Sequence, residues 1–87
     1  MSFEVGTLVV SIRGRDAETV LAVIGSTDRS VILADGRKHR IYKPKSKNVK
    51  HVRPLDQKLS DDTLQKLIDG TITDKVLYRD IKRILMS

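Results

Sequence analysis

Three short apolar segments separated by polar turns fill the first third of the chain. In the first, Thr7-Leu8-Val9-Val10-Ser11-Ile12, the residues Leu8, Val10 and Ile12 alternate, and the β-branched content predicts a strand entered at Gly6 and left at Gly14. Residues 19–24 predict a second strand, reached through the short charged connection Arg13-Gly14-Arg15-Asp16-Ala17-Glu18. Turn residues at Gly25-Ser26-Thr27-Asp28-Arg29 precede a third run, Val31-Ile32-Leu33. Asp35-Gly36 then predicts a tight hairpin, because both central positions of the favoured turn need positive φ. That places a fourth strand at residues 38–43. Pro44 interrupts the ladder, as proline can at an edge or bulge, and residues 48–53 form a fifth strand before Pro54.

Five short strands on short connections remove their edges most economically by closing into a small barrel. Beyond it the period changes. Ser60 is placed to cap a helix with Asp61 and Asp62 in its first turn, Leu64, Leu67 and Ile68 share one face, and Gly70 stands where the helix stops. A second helix starts near Thr73, whose hydroxyl can cap it. It carries Leu77, Ile81, Ile84 and Leu85 on one side and Lys75, Arg79, Lys82 and Arg83 on the other. The expected organisation is a mainly β fold, with residues 1–54 as the barrel and residues 55–87 as a two-helix C-terminal extension. A helix of about ten residues is marginal alone in water, so the extension must dock or fray.

With 87 residues, 39% of them apolar, the chain has material for one modest core and not two. It contains no cysteine, which excludes a disulfide framework, a thiolate nucleophile and sulfur-ligated zinc, and fits the cytoplasm. No apolar run approaches the length that spans a bilayer, and the start Met-Ser-Phe-Glu-Val lacks a signal-peptide pattern, so no membrane partner is expected.

Charge sharpens the picture. The formal charge of +6 divides very unevenly: residues 1–36 hold three basic and five acidic side chains, residues 37–53 eight basic and no acidic ones, and residues 54–87 six of each. A block this dense selects a polyanion, since each cation that neutralises a phosphate releases a counterion. Ile41, Val49 and Val52 at intervals imply that the block is folded and presents its charges on a fixed framework, although an ordinary solvated surface would have the same composition.

Aromatic side chains are few, Phe3, Tyr42 and Tyr78, and only Tyr42 lies in the block. It is either a stacking platform or a rim residue of the barrel. Reading splayed-out bases needs more such platforms, so phosphates and the shape of a structured RNA are the better match. The helix with a basic face lacks the residue mixture that reads base edges in a DNA major groove. No phosphate-cradling glycine loop, Gly-x-Ser-x-Gly or His-Glu-x-x-His is present. His39 and His51 lie among cations with no local carboxylate to act as co-ligand. No catalytic residue, metal site or cofactor is expected, and the chain is not read as an enzyme.

The stretch from Val5-Gly6-Thr7-Leu8-Val9-Val10-Ser11-Ile12-Arg13-Gly14-Arg15-Asp16 through Val20-Leu21-Ala22-Val23-Ile24-Gly25, with Leu33-Ala34-Asp35-Gly36 behind it, resembles the KOW motif. With Ile41-Tyr42-Lys43-Pro44-Lys45-Ser46-Lys47-Asn48-Val49-Lys50-His51 and the two-helix tail, the resemblance extends to small bacterial KOW-domain RNA-binding proteins, which are similar to KOW-bearing large-subunit ribosomal proteins of archaea and eukaryotes. It implies an SH3-like barrel that binds RNA, often ribosomal RNA, partly through the loop between its first two strands. The chain departs from the motif at Glu18-Thr19, where a second glycine followed by a basic residue is usual. That acid shifts weight towards the block after Gly36.

The expected RNA-binding residues are Arg13, Arg15, Arg37, Lys38, Arg40, Tyr42, Lys43, Lys45, Lys47, Lys50 and Arg53. The expected partner is structured RNA, in particular rRNA of the large ribosomal subunit, with ribosomal or transcription proteins as further partners and a monomer favoured. The rival is a protein-interaction adapter of the transcription or translation machinery that uses the barrel edge and the apolar face of the last helix.

Overall fold

A computed structural model of the chain describes residues 3–14 and 18–87. Strands β1 (Thr7–Ser11), β2 (Val20–Ser26), β3 (Ser30–Ala34), β4 (Lys45–Asn48) and β5 (Val52–Lys58) form one antiparallel sheet in the order β4-β3-β2-β1-β5. One turn of 3-10 helix, Val49–His51, joins β4 to β5, and helices α1 (Asp61–Asp69) and α2 (Asp74–Met86) follow. The mainly β fold with two C-terminal helices is therefore the expected one. Its two edge strands meet through the 3-10 turn and share no ladder, so the sheet curls without closing fully.

The first three strands lie where the apolar pattern puts them, and the next two do not. Residues 38–43 form no strand, because other groups take up the backbone of the loop they belong to. The Asp35 carboxylate accepts from the backbone N–H of Arg37 and of His39, both at 2.9 Å, and the His39 carbonyl accepts from Asp35 N at 2.9 Å and Gly36 N at 3.2 Å. This side-chain-capped loop replaces the expected hairpin turn. The fourth strand starts only after Pro44. Residues 49–51 are 3-10 helix, not strand, because Asn48 Oδ1 accepts from Lys50 N at 2.9 Å and turns the chain. The fifth strand begins at Val52 and runs through Pro54 to Lys58. Pro54 pairs with Val9, and on an edge strand its missing N–H is tolerated.

The described residues build two apolar clusters, one on each face of the sheet, where composition suggested one. Val9, Leu21, Val23, Val31, Leu33 and Val52 are 0–6% exposed, with Phe3 and Val49 packed against them. Among the described residues only those of the sheet, the 3-10 turn and Phe3 line this cluster, so the sheet must wrap around it. Register shifts between Thr7 and Val9 and between Val23 and Gly25 are irregularities of the kind that increase local twist and bending. The other face carries Leu8, Ala22 and Ala34, covered by Leu59 and by Leu77 and Ile81 of α2. A second core is possible because the helices dock instead of fraying. The run Leu8-Val9-Val10 serves both sides, while Ile12 at its end is 46% exposed.

Both helices have the expected ends, with one exchange of partners. Gly70 closes α1 in the left-handed conformation at φ +76°, and Thr73 Oγ1 accepts from Val76 N at 3.3 Å to cap α2. Ser60 occupies the cap position of α1 but makes no side-chain cap bond. Its hydroxyl donates to the buried carboxylate of Asp80 and its backbone N–H donates to Asp80 Oδ2 at 2.9 Å, which ties the start of α1 to the middle of α2. Arg83 pairs with the same carboxylate.

Candidate nucleic-acid interface

The loop from Asp35 to Pro44 carries five of the expected residues, and α2 holds it in place. Asp74 Oδ1, in the first turn of α2, accepts from Ile41 N at 2.8 Å, while the Ile41 side chain packs on the helix-side core. Gly36 has φ +81°, and a Cβ there would lie 2.2 Å from the Asp74 carbonyl oxygen, so only glycine permits this approach. Arg37 Nη1 donates to the Tyr78 hydroxyl at 2.7 Å, with its guanidinium 5.3 Å from the ring centroid. Lys82 Nζ lies 5.6 Å from the same centroid. The Arg37 hydrogen bond, with the positive charges of Arg37 and Lys82, holds the Tyr78 phenol below its ordinary pKa against an opposing effect of desolvation.

The remaining expected residues divide among several places. Lys38, Arg40 and Lys43 are exposed on the loop, and Tyr42 is 77% exposed, which excludes a core role for its ring. In β4, Lys45 and Lys47 stand opposite Leu33 and Val31, so they share the face that the sheet wraps inward, at its open rim. Lys47 reaches across that rim and donates to the Arg13 carbonyl at 2.9 Å, joining β4 to the connection after β1. Lys50 is exposed on the 3-10 turn. Arg53 pairs with Val10 on the far edge strand, one residue on from the inward-facing Val52, and so belongs to the opposite face from Lys45 and Lys47. Arg15 lies outside the described residues.

The loop cations and the β4 lysines thus follow one another along the chain, Arg13 joins them through Lys47, and Arg53 lies on the face opposite Lys45 and Lys47. The structure also recruits Tyr78, Lys82, Asp74 and Gly36, which the block analysis left out. Tyr78 is 41 residues from Arg37 and Asp74 is 33 from Ile41, separations with no local period to betray them. The apolar side of α2 is occupied from within at Leu77, which is fully buried, and at Ile81, 5% exposed, while Leu85 at its end is 43% exposed. Among the described residues no helix is long and apolar enough to cross a membrane, and no group of three or more acidic or histidine side chains is placed to hold a metal ion.

No family model matches the chain. A curated relative does, the large ribosomal subunit protein eL14 of Methanococcus vannielii, with 34% identity over 75 residues, covering 86% of this chain and 84% of that protein. An alignment of this identity and extent makes the chain a member of the family of large ribosomal subunit protein eL14.

Proposed function

We propose that the protein is a non-enzymatic rRNA-binding component of the large subunit of cytoplasmic ribosomes, gripping structured RNA through phosphate contacts from the loop after β3 and from β4. The observation that carries this reading is the eight cations and no acids of residues 37–53, four of them on a loop that Asp35, Asp74 and Gly36 hold in one conformation. A loop backbone already held in place loses little freedom on binding, so more of the favourable release of counterions is retained. The name of the relative supports the same reading.

The barrel is of the KOW type in this proposal. Glu18 supports it: at the position where the motif's second glycine is usual, the backbone has φ +69°, which glycine adopts without strain. Replacing Glu18 by Gly is expected to raise stability by about 0.5 kcal/mol, the relief of left-handed strain slightly exceeding the extra unfolded-state entropy. Urea unfolding of the two proteins checks this, and a loss of stability would show that the Glu18 side chain makes a compensating contribution.

In a sucrose gradient of a native-cell lysate, the protein should co-migrate with the large subunit at low salt and leave it at high salt. Persistence at the top of the gradient at both salt concentrations would refute the proposal. With about five phosphate contacts, log affinity for large-subunit rRNA should fall with log salt at a slope near −4 to −5. The Lys43→Ala/Lys45→Ala double variant should reduce the magnitude of that slope by up to about 2. A flat salt dependence would also overturn the reading.

A further inference from the structure

We infer that Arg37, Tyr78 and Lys82 together form a binding site for an RNA backbone phosphate, which extends the contact from the basic loop onto the exposed face of α2. The inference rests on the RNA-binding reading above. Arg37 and Lys82 lie within 5.3 and 5.6 Å of one ring centroid, yet come from elements far apart in the chain. Among the described residues no carboxylate forms an ion pair with either of them. The fold therefore gathers two like charges around one tyrosine, both acting on its phenol, an arrangement that a bound anion relieves.

The tyrosine supplies the third donor. Its oxygen accepts from Arg37 at 2.7 Å, so its own hydrogen remains available to donate to another acceptor. A guanidinium, a phenolic hydroxyl and an ammonium suit the several oxygens of a phosphate better than a single carboxylate. The site continues the loop cations, since Arg37 is the first residue of the block. The groove beside it is lined by Val20, Ile81 and Leu85, with Glu18 and Asp35 also on its wall. Glu18 and Asp35 are the charges that oppose an anion there, and the backbone N–H groups of Arg37 and His39 hold one Asp35 oxygen in place without removing its charge. Sequence periodicity grouped Lys82 with Lys75, Arg79 and Arg83 as one basic helix face. Arg83 is paired with Asp80, so the cation that joins the loop is Lys82.

Salt-dependent binding of the full chain to large-subunit rRNA tests the site. Lys82→Ala should reduce the magnitude of the salt slope by about 1, one phosphate contact. Tyr78→Phe keeps the ring and removes only the hydroxyl. It should weaken binding about 10-fold with the slope unchanged, because the lost donor is neutral. Lys66→Ala, an equal loss of charge on α1, should leave the slope as it is. Circular dichroism should show all three variants folded. Wild-type affinity and slope in both Lys82→Ala and Tyr78→Phe, with a reduced slope in Lys43→Ala/Lys45→Ala, would overturn this site and leave the RNA reading standing. An unchanged slope in that double variant as well would remove both. An effect of Lys66→Ala equal to that of Lys82→Ala would reduce the site to long-range charge and overturn it, as would a polyglutamate peptide that displaces the RNA by occupying Tyr78 and Lys82.

Discussion

Replacing Gly36 by Ala is expected to destabilise the protein by about 3 kcal/mol and to weaken RNA binding with it. The added methyl group would stand 2.2 Å from the Asp74 carbonyl oxygen and 3.0 Å from both Asp74 C and Tyr78 N, all backbone atoms of α2. A rotamer change cannot relieve a clash with backbone. Either α2 moves off the sheet or the loop changes path, and each choice breaks the Ile41 to Asp74 hydrogen bond and separates Arg37 from Tyr78. The left-handed φ of +81° adds about 1 kcal/mol of its own for any L side chain, and overpacking typically costs about 1–3 kcal/mol more. For a domain whose total stability is on the order of 5–10 kcal/mol this is a large fraction. Urea unfolding gives the first quantity and rRNA titration at low salt the second. Stability within 0.5 kcal/mol of wild type, on the order of an ordinary surface substitution, would show that the loop is not wedged against α2 as described.

The second large effect is expected at Asp80. Its carboxylate is 3% exposed and accepts from Ser60 N at 2.9 Å and from the Ser60 hydroxyl at 3.0 and 3.1 Å, with Arg83 as its ion-pair partner. Asp80→Ala removes the acceptor and leaves part-buried donors at the start of α1 without a partner, for an expected loss of about 2–4 kcal/mol. Arg83→Ala should cost about 1 kcal/mol or less, because the arginine is 71% exposed and water replaces much of what it provides.

Asp80 also predicts an acid dependence. Burial pushes its carboxyl up, but hydrogen bonds from the Ser60 backbone, from Arg83, and from the Ser60 and Thr63 hydroxyls outweigh this and hold it below the ordinary aspartate value. A depressed folded-state pKa stabilises the fold above the unfolded value, about 3.9, and that contribution is lost as pH falls through the folded value. The stability gap between wild type and Asp80→Asn should therefore be widest near neutral pH and narrow below about pH 4. Thermal melts across that range measure it, and a gap that widens towards acid would contradict the assigned ionisation.

Local pattern was enough for much of this protein. Residues 7–34 state their strands through apolar runs bounded by turn residues, and Gly70 and Thr73 mark helix ends through conformational and capping preferences that operate within one turn. The density of cations between Arg37 and Arg53 is legible by counting. These features depend on residues a few positions apart, so one sequence contains the whole cause.

What the cations do in space was decided elsewhere. Asp35 and Asp74 capture three backbone donors that residues 37–41 would otherwise offer to a strand, and one of the three goes to a residue 33 positions away. Ser60 has the chemistry of a helix cap, yet gives its hydroxyl to Asp80, because docking places a buried charge in need of donors beside it. The second core exists only because curling the sheet and laying α2 on its outer face bury Val9 and Leu8 on opposite sides. Sequence by itself determined the first three strands, the helix ends and the positive block. Tertiary structure alone decided that Lys47 meets Arg13, that Arg53 turns away and that Arg37 meets Tyr78, since such pairings are chosen by packing and burial over the whole chain, with no period along it to announce them.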